Sequence, residues 1–499
     1  MGEQFLLPLV LLVAAVFFIS RRRSGKSKSK LPLPPGPPTL PIIGNLHQLG
    51  DPLHRILHEH SKLHGDLMML KFGNVNTLVL ASADLTREVI KNHDITFGDR
   101  AVRQATRRMS YDVTDITFAP YGEYWREVRK IAVLELLSPK RVQSYRPARE
   151  DEVKILRDAV LSTNSKEFDL SELLHSLSNN LLCRVAFGRK FTRTNDGKKT
   201  PQELLQETQT LVGTICLSDF FPSLWWINKL TGYDARVERN FHELDEVFET
   251  VIQEHLNPNR EKPDGEDIVD VLLKIQSDKS RPVSQTPSFV KAIISDMFIA
   301  GTDTTAATLI WAMTELIRSP GSLRKATDEV RELCKGKKEV SEEELSQLPY
   351  IKAVIKETLR LHPPTPLLIP RETSEECELR GYRIPAKTTV FINAFSMAMD
   401  SKSWERPQDF WPERFMENSG LDFRGQHYEL IPFGVGRRAC PGLGFAAVTV
   451  ESVVANLLFW FDWELPYGVK VDDVDMSDAV GIVVLKKTPL KMVAKRVNI

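Results

Sequence analysis

A cysteine near the C-terminus has the surroundings of a reactive thiolate. In the segment PFGVGRRACPG, Pro432–Gly442, two glycines and a proline prevent regular structure before Cys440. Residues 443–460 then read as an apolar helix, which places the thiol just before a helix N-terminus. Unpaired N–H groups and the helix dipole stabilise a thiolate there, and Arg437 and Arg438 add positive charge. A thiolate that donates into haem iron favours O–O cleavage.

The other cysteines show no pattern of a disulfide framework or a zinc site. The total of five is odd, the spacings are wide, and no C-x-x-C occurs. We expect these four thiols to be small buried hydrophobes, namely Cys183, Cys216, Cys334 and Cys377.

The longest apolar helix pattern, Ser288 to Ser319, carries polar residues at its centre. The sequence AGTDTT, residues 300–305, combines small residues, which permit close approach to a flat cofactor, with an acid and three hydroxyls. Polar groups in the middle of an apolar helix need partners or a function. A buried kink with local hydrogen bonds is the structural alternative.

The cysteine segment resembles the haem-binding loop of the cytochrome P-450 superfamily, F-x-x-G-x-R-x-C-x-G. The matching residues are Phe433, Gly436, Arg438, Cys440 and Gly442. The resemblance implies that Cys440 is the axial thiolate ligand of haem b. It further implies that Arg438 pairs with a haem propionate and that Phe433 shields the sulfur.

Further motifs agree with this resemblance in type and order. The family's A-G-x-D-T-T segment crosses above the haem, so the resemblance gives Asp303 and Thr304 the delivery of protons to dioxygen. Trp125 and Arg129, spaced to share one helical face, and Arg371 resemble donors to the haem propionates.

A structural ion cluster is also implied. Glu357 and Arg360 stand three apart on one helical face, which alone is a common surface pair. The sequence PERF, 412–415, follows at the family's usual distance, so the resemblance places Glu357, Arg360 and Arg414 in a buried cluster.

Three other functions fit parts of the sequence. Gly434-x-Gly436-x-x-Ala439 and Gly442-x-Gly444-x-x-Ala447 match the dinucleotide fingerprint of a nicotinamide-dependent reductase, but no βαβ pattern surrounds them. A haem-thiolate isomerase or dehydratase needs no reductase, although such enzymes typically lose the Asp–Thr pair. A non-catalytic membrane haem carrier is the third.

The N-terminus predicts a transmembrane helix over residues 1–23. Residues 5–19 are almost entirely apolar, and Arg21, Arg22 and Arg23 follow, which is the reverse of a cleaved signal peptide. Charge in this position keeps the rest of the protein cytosolic, and we expect a single-pass protein of the endoplasmic reticulum membrane. Residues 24–44 are basic and then proline-rich, which predicts a stiff hinge or a plain linker.

Residues 45–499 read as one mainly α-helical domain with small β-sheets. No second linker or repeat interrupts them, and the equal numbers of basic and acidic residues, 66 each, give no global attraction to nucleic acid. Short β patterns lie at Leu67–Gly73, Thr77–Ser82, Tyr382–Asn393 and Gly481–Leu485.

The resemblance implies a monooxygenase that uses O2 and takes electrons from an NADPH–cytochrome reductase on the same membrane. FAPYGEYWREVRK and YELIPFGVGRRACPG are most similar to the plant branch of specialised metabolism, so we expect a small apolar substrate, a terpenoid, alkaloid or phenolic. Expected pocket walls are 116–118, 211–221, 293–300, 365–369 and 479–483. A basic face could dock the reductase: Lys130, Lys140, Arg141, Arg437 and Arg438. The aromatic segment 218–232 either dips into the membrane or packs inside.

Overall fold

The computed structural model describes residues 31–191, 199–260, 265–418 and 420–497. The predicted anchor, 1–23, and the first part of the predicted hinge, 24–30, lie outside the described residues. Within them the chain is mainly helical with small sheets, as the sequence predicts.

Eighteen α-helices are found in the described ranges. They are α1 Leu53–His64, α2 Ala83–His93, α3 Gln104–Met109, α4 Glu123–Ile131, α5 Pro139–Ser144, α6 Arg146–Ser162, α7 Leu170–Phe187, α8 Pro201–Gly213, α9 Leu217–Phe220, α10 Trp226–Leu230, α11 Tyr233–Leu256, α12 Ile268–Ser277, α13 Phe289–Arg318, α14 Pro320–Leu333, α15 Pro349–Leu361, α16 Ala394–Ala398, α17 Glu413–Glu417 and α18 Leu443–Trp460.

Ten strands form three sheets in the same ranges. They are β1 Leu67–Phe72, β2 Val75–Leu80, β3 Asp99–Arg100, β4 Phe168–Asp169, β5 Arg371–Glu372, β6 Cys377–Leu379, β7 Tyr382–Ile384, β8 Thr389–Ile392, β9 Phe461–Glu464 and β10 Lys491–Arg496. The largest sheet has the order β1-β2-β8-β5-β3, in which only β2 and β8 are parallel. The other two have the orders β4-β10-β9 and β6-β7.

The predicted long helix is α13, and it runs through the interior. It is apolar on nearly all sides, as expected of a core helix, and it packs against α7, α15 and α18. Gly301 lies where α7 comes closest, because a Cβ there would meet the Leu182 side chain at 3.1 Å. Pro320 begins the next helix, where its missing N–H costs nothing.

The helix after the cysteine, α18, is also a core element. Among the described residues it alone is long and apolar enough to span a membrane, but two thirds of it (67%) is buried inside the fold. Its apolar side chains join those of α13 and α15 in the largest hydrophobic core.

Part of the predicted hinge is fixed to the domain. Pro32 accepts the N–H of Arg383, and Pro35 accepts the N–H of Met69 at 2.8 Å, so residues 31–44 lie along β7 and β1. Gly36 must be glycine because a Cβ there would lie 2.0 Å from the Met69 carbonyl oxygen.

One predicted strand is wrong. Residues 481–485 form a turn instead, since Ala479 donates to Leu485 across it and Asp478 bridges Lys486. The final strand is β10. A short apolar run in a turn cannot be distinguished from a short buried strand by its sequence pattern alone.

Candidate active site

The cysteine loop is closed by its own backbone. Cys440 donates its N–H to the Phe433 carbonyl at 2.8 Å, so the two ends of the loop lie side by side. Gly434 and Gly436 have φ of 72° and 71°, a conformation that favours glycine. At Gly436 a side chain would also collide with the Asp94 carboxylate, whose oxygens lie 2.9 and 3.0 Å from the Cβ position.

The thiol of Cys440 lies among groups that stabilise a negative charge. It accepts backbone N–H groups from Gly442 and Leu443 at the start of α18, and the Arg129 guanidinium is near. Burial is the larger effect and raises the pKa of the Cys440 thiol, while these three groups lower it. The side chain is nevertheless solvent-accessible, so packed protein does not cover it.

Arg371 holds the cysteine loop through backbone and side-chain contacts. It donates to the Val435 carbonyl at 2.7 Å and to Asp94 at 3.0 Å. Asp94 also accepts the backbone N–H of Arg437 at 3.0 Å. The predicted role of Arg371 toward a propionate stays a prediction; its contacts here fix the loop that carries Cys440.

Four buried or half-buried arginines gather beside this loop, and we call them the guanidinium group: Arg100, Arg129, Arg371 and Arg438. Burial, followed by repulsion from the other arginines, lowers the pKa of Arg100 and lowers that of Arg438 to about 10. The region therefore carries an excess of positive charge in the interior.

The members of the guanidinium group donate mainly to carbonyl groups. Arg438 donates to Gly98 at 2.8 Å and to Ala119 at 2.6 Å, and its guanidinium lies 4.2 Å from the centre of the Trp125 ring. Trp125 donates its indole N–H to the Ile116 carbonyl at 2.9 Å. Arg129 donates to the carbonyl of Ala439, next to the cysteine.

The polar centre of α13 faces α7. Burial raises the pKa of Asp303 to about 6, and the His175 ring lies 3.9 Å from its carboxylate. The Thr304 hydroxyl donates to the Ala300 carbonyl one turn back, at 2.7 Å. Ala300 is exposed in the middle of an otherwise buried helix, so this face also borders an open space.

The structure brings Glu357, Arg360 and Arg414 together in a buried cluster. One carboxylate oxygen of Glu357 accepts from Arg360 at 2.8 Å and from Arg414 at 3.1 Å, and the other accepts from Arg360 at 2.8 Å. The remaining donors of Arg360 bind the carbonyls of Ala398 and Pro407. Both guanidinium groups therefore contact the Glu357 carboxylate, and neutral carbonyls accept their remaining donors.

Backbone contacts link the segments that the sequence predicts as pocket walls. Ile116 donates its N–H to Asp296, within 293–300, and Val484 donates to Pro364 at 2.8 Å, beside 365–369. A Cβ on Gly213, at the end of α8, would lie 3.7 Å from Gly481.

Sequence reasoning missed four charged residues of this region: Asp94, Arg100, Asp115 and Asp296. None belongs to a motif quoted from the sequence, and their partners lie far away along the chain. Arg100 donates to the Thr117 and Ile369 carbonyls, for example. Their common signal is a charged residue next to an apolar stretch, which is too frequent to single them out.

Comparisons with known proteins agree on one family. The cytochrome P-450 family description matches residues 34–493. Cytochrome P-450 71A9 from Glycine max is 48% identical over 482 residues, covering 96% of both chains. Strychnine-11-hydroxylase from Strychnos nux-vomica is 48% identical over 96% of this chain and 94% of its own. A phenylacetaldehyde oxime monooxygenase from Prunus mume is 46% identical over 98% and 94%.

A solved structure agrees as well. A zebra fish cytochrome P-450 described with abiraterone has a TM-score of 0.75 and 24% identity, covering 90% of this chain and all (100%) of that one. The chain belongs to the cytochrome P-450 family. It is a cytochrome P-450 monooxygenase, and its cofactor is haem, with iron bound by a cysteine thiolate.

The residues present fit this cofactor. The thiol of Cys440 is solvent-accessible, and the guanidinium group supplies buried positive charge for two propionates. The dinucleotide interpretation is wrong: its first glycines lie in a loop after no strand, and a 3-10 turn, Gly436–Arg438, precedes α18.

Proposed function

We propose that Cys440 is the axial ligand of the haem iron and that the guanidinium group holds the propionates. The observation that supports this most strongly is the Cys440 thiol itself, which accepts two N–H groups at a helix N-terminus beside Arg129 and is solvent-accessible. Bound there, the haem supplies activation of O2. The balanced reaction is R–H + O2 + two electrons + two protons giving R–OH + water.

The test of the ligand is the carbonyl spectrum of the reduced protein. Cys440→Ala should abolish the red-shifted carbonyl band, because thiolate ligation produces it. Cys334→Ala, which removes another buried thiol, should keep the band. A band that survives Cys440→Ala contradicts the assignment.

Asp303 and Thr304 are proposed to carry protons into the site. The Thr304 hydroxyl can hold or pass a proton at its oxygen, and Asp303, with its raised pKa, can exchange protons near neutral pH. Thr304→Ala should continue to consume NADPH but form less product and more hydrogen peroxide. Thr308→Ala removes a hydroxyl one turn later with the same hydrogen-bonding pattern and serves as the control.

The substrate is proposed to be a small apolar plant specialised metabolite, a terpenoid, alkaloid or phenolic. Two relatives are named for strychnine hydroxylation and for oxidation of phenylacetaldehyde oxime, so close relatives act on different compounds of this kind. The proposed pocket walls are largely apolar. A panel of plant metabolites, incubated with the reductase-coupled enzyme and analysed by mass spectrometry, tests this directly.

Attachment to the endoplasmic reticulum membrane is proposed to use a second surface besides the N-terminal segment. Trp225 and Trp226 are 57% and 47% exposed, and Leu230 on the same segment is also exposed. Phe221 touches the Gly73 turn, whose N–H binds the carbonyl of Ile43. An exposed apolar surface thus surrounds the point where the chain enters the domain, as expected for a membrane interface.

Deletion of residues 1–23 tests this arrangement. The truncated enzyme should retain weak binding to lipid vesicles and lose it with Trp225→Ser and Trp226→Ser. Met416→Ser, at another exposed apolar residue, should leave the binding unchanged. If the truncated Trp225→Ser, Trp226→Ser and Met416→Ser variants bind vesicles equally well, the second membrane surface is contradicted.

An NADPH–cytochrome reductase is the proposed electron donor, docking on the cysteine side. Of the predicted basic face, Lys130, Lys140 and Arg437 are exposed, whereas Arg438 is buried and cannot take part. Lys130→Glu with Lys140→Glu should slow reduction of the haem at low salt, and this difference should shrink as salt screens the charges.

A further inference from the structure

The loop between α3 and α4 is fastened to the long helix by backbone N–H groups. Asp296, on α13, accepts the N–H groups of Ile116 and Thr117 at 2.5 and 3.2 Å. Buried N–H groups must be paired, so the conformation of the loop depends on this carboxylate. The loop reaches α13 one turn before Ala300.

A second carboxyl group continues the pattern within the loop itself. Asp115 is buried, and one of its oxygens accepts the N–H groups of Phe118 and Ala119 at 2.8 and 3.1 Å. Four consecutive backbone donors therefore end on two acids. Carbonyl groups of the same loop bind the guanidinium group, as with Ala119 and Arg438 at 2.6 Å.

The loop needs such fastening because its backbone is strained. Tyr111, Asp112 and Val113 have φ of 52°, 59° and 57°, three successive non-glycine residues in the left-handed region. Each costs free energy, so contacts elsewhere must impose the conformation.

The two carboxyl groups also interact directly with each other. Burial raises the pKa of both, and the charge of Asp296 raises that of Asp115 further. Two ionised carboxylates in contact inside a protein repel, so the pair holds one proton. Each acid accepts two backbone N–H groups, but Asp296 also accepts the Thr117 hydroxyl, which further stabilises its charged form. The proton shared between the two acids therefore lies on Asp115.

The other charged or titratable groups near Asp115 are Arg100, Arg438 and Tyr124. The arginines stay protonated near neutral pH, and burial raises the pKa of Tyr124.

We propose that Asp115 and Asp296 form a proton-sharing pair that fastens residues 116–119 to the long helix and so positions one wall of the substrate pocket. Both are positioning residues that act through Ile116 and its neighbours. The inference rests on the proposed function, in which 116–118 and 293–300 line the pocket. By setting this wall, the pair determines which substrates fit and which carbon is presented.

Substitutions at Asp115 distinguish an effect of the shared proton from an effect of side-chain size. In Asp115→Asn the amide oxygen can accept the two N–H groups, and the NH2 can donate to Asp296, which reproduces the protonated acid. Asp115→Ala and Asp296→Ala remove acceptors and leave N–H groups unpaired. We expect Asp115→Asn to hold residues 116–119 as the wild type does. Asp115→Ala and Asp296→Ala should both loosen this segment.

Hydrogen exchange of the peptide that contains residues 116–119, in the haem-loaded enzyme, measures the fastening directly. Asp296→Ala should lose about tenfold in protection, equivalent to about 1.4 kcal/mol, while Asp115→Asn stays near the wild type. After correction for intrinsic base catalysis, wild-type protection should fall at alkaline pH as the pair loses its proton. Asp115→Asn should show no such fall.

Binding of azoles gives a second readout that needs no knowledge of the natural substrate. Phenylimidazole is the larger ligand, so its binding should depend more on the pocket wall than the binding of imidazole does. In spectral titrations, Asp296→Ala should weaken the binding of phenylimidazole by about tenfold relative to the binding of imidazole. Asp115→Asn should leave the ratio unchanged.

Equal loss in Asp115→Asn and Asp115→Ala, or full protection in Asp296→Ala, overturns the inference. If Asp296→Ala does not fold, the pH dependence of Asp115→Asn against the wild type decides it. Each protein is first checked for the red-shifted carbonyl band. A wild type without that band contradicts the proposed function, whereas a normal band with unchanged exchange contradicts only the carboxyl pair.

Discussion

Two groups of buried arginines in this fold are built in opposite ways. Around Glu357, one carboxylate binds both Arg360 and Arg414, and the remaining donors bind carbonyls. The guanidinium group instead gathers four arginines, of which Arg371 contacts the Asp94 carboxylate. Burial and repulsion from neighbouring arginines lower the pKa of Arg100 and Arg438, and many of the group's acceptors are backbone carbonyls.

This difference indicates that the arginines around Glu357 have a structural role, whereas the guanidinium group has a role in binding. A buried charge with matched partners is at its lowest free energy in the protein alone, and removing a partner is costly. A cluster of like charges is at its lowest free energy only when an anionic group joins it. Haem, with two propionates and an iron that binds the thiolate, is such a group.

Glu357→Ala should give the largest effect of any single change, because it leaves two buried guanidinium groups without their carboxylate. We expect a loss of about 3–5 kcal/mol in the free energy of unfolding, enough to prevent folding at physiological temperature. Thermal unfolding followed by circular dichroism, together with the haem content of the purified protein, measures it.

Glu405→Ala is the matched control. Glu405 lies close to the same cluster, but its side chain is largely exposed, and only its backbone carbonyl binds Arg414. Its replacement should leave unfolding unchanged, because exposed ion pairs contribute little. Similar losses for Glu357→Ala and Glu405→Ala would show that the shared Glu357 carboxylate does not stabilise the two buried arginines.

Arg129→Gln should have a smaller effect, and a different one. Arg129 donates to the carbonyl of Ala439, and burial lowers its pKa, so its charge costs free energy in the haem-free protein. We expect the haem-free protein to unfold within about 1 kcal/mol of the wild type. Haem affinity should fall by about 10- to 100-fold, as for other groups that surround a metal centre.

The rate of haem loss to an acceptor protein measures this affinity. Arg126→Gln, an exposed arginine on the same helix, is the control and should change neither quantity. If Arg129→Gln destabilises the haem-free protein as strongly as Glu357→Ala does, the guanidinium group is structural, and the contrast between the two groups disappears.

The sequence predicts these two groups unequally. The ion cluster and the cysteine loop are predictable because each rests on short motifs that resemble those of the family; the spacing of Glu357 and Arg360 alone indicates only a surface pair. Arg100 and Asp94 belong to no motif, and their contacts with Ile369 and Arg437 join residues more than 200 positions apart. Pairing at that range is decided by tertiary packing rather than by local pattern.

The secondary structure shows the same limit. The long helix was predicted to within a residue or so at each end, because its apolar pattern is long and Pro320 stops it. The turn at 481–485 was mistaken for a strand because five apolar residues carry too little periodicity.

A third kind of buried charge, the single carboxyl of Asp303, gives the smallest expected effect. Burial raises its pKa to about 6, so in the folded enzyme it is protonated below that pH and ionised above it. In the unfolded chain it would lose the proton near pH 4. Its contribution to stability is therefore present below about pH 4 and lost as pH rises to about 6.

Asp303→Asn should remove this titration from the activity of the enzyme. In the wild type the protonated carboxyl can pass a proton toward Thr304, so product formed per NADPH should fall as pH rises through about 6. At that pH half of the carboxyls are ionised, which corresponds to about a twofold change from the acid plateau. The variant should give less product and a flat profile, because an amide does not exchange protons. Asp158→Asn, at an exposed carboxyl, should keep the wild-type profile. An inflection near pH 6 that persists in Asp303→Asn would assign the titration to another group, with the neighbouring His175 as the first to examine, and would remove Asp303 from the proton path while leaving the contrast between the two arginine groups intact.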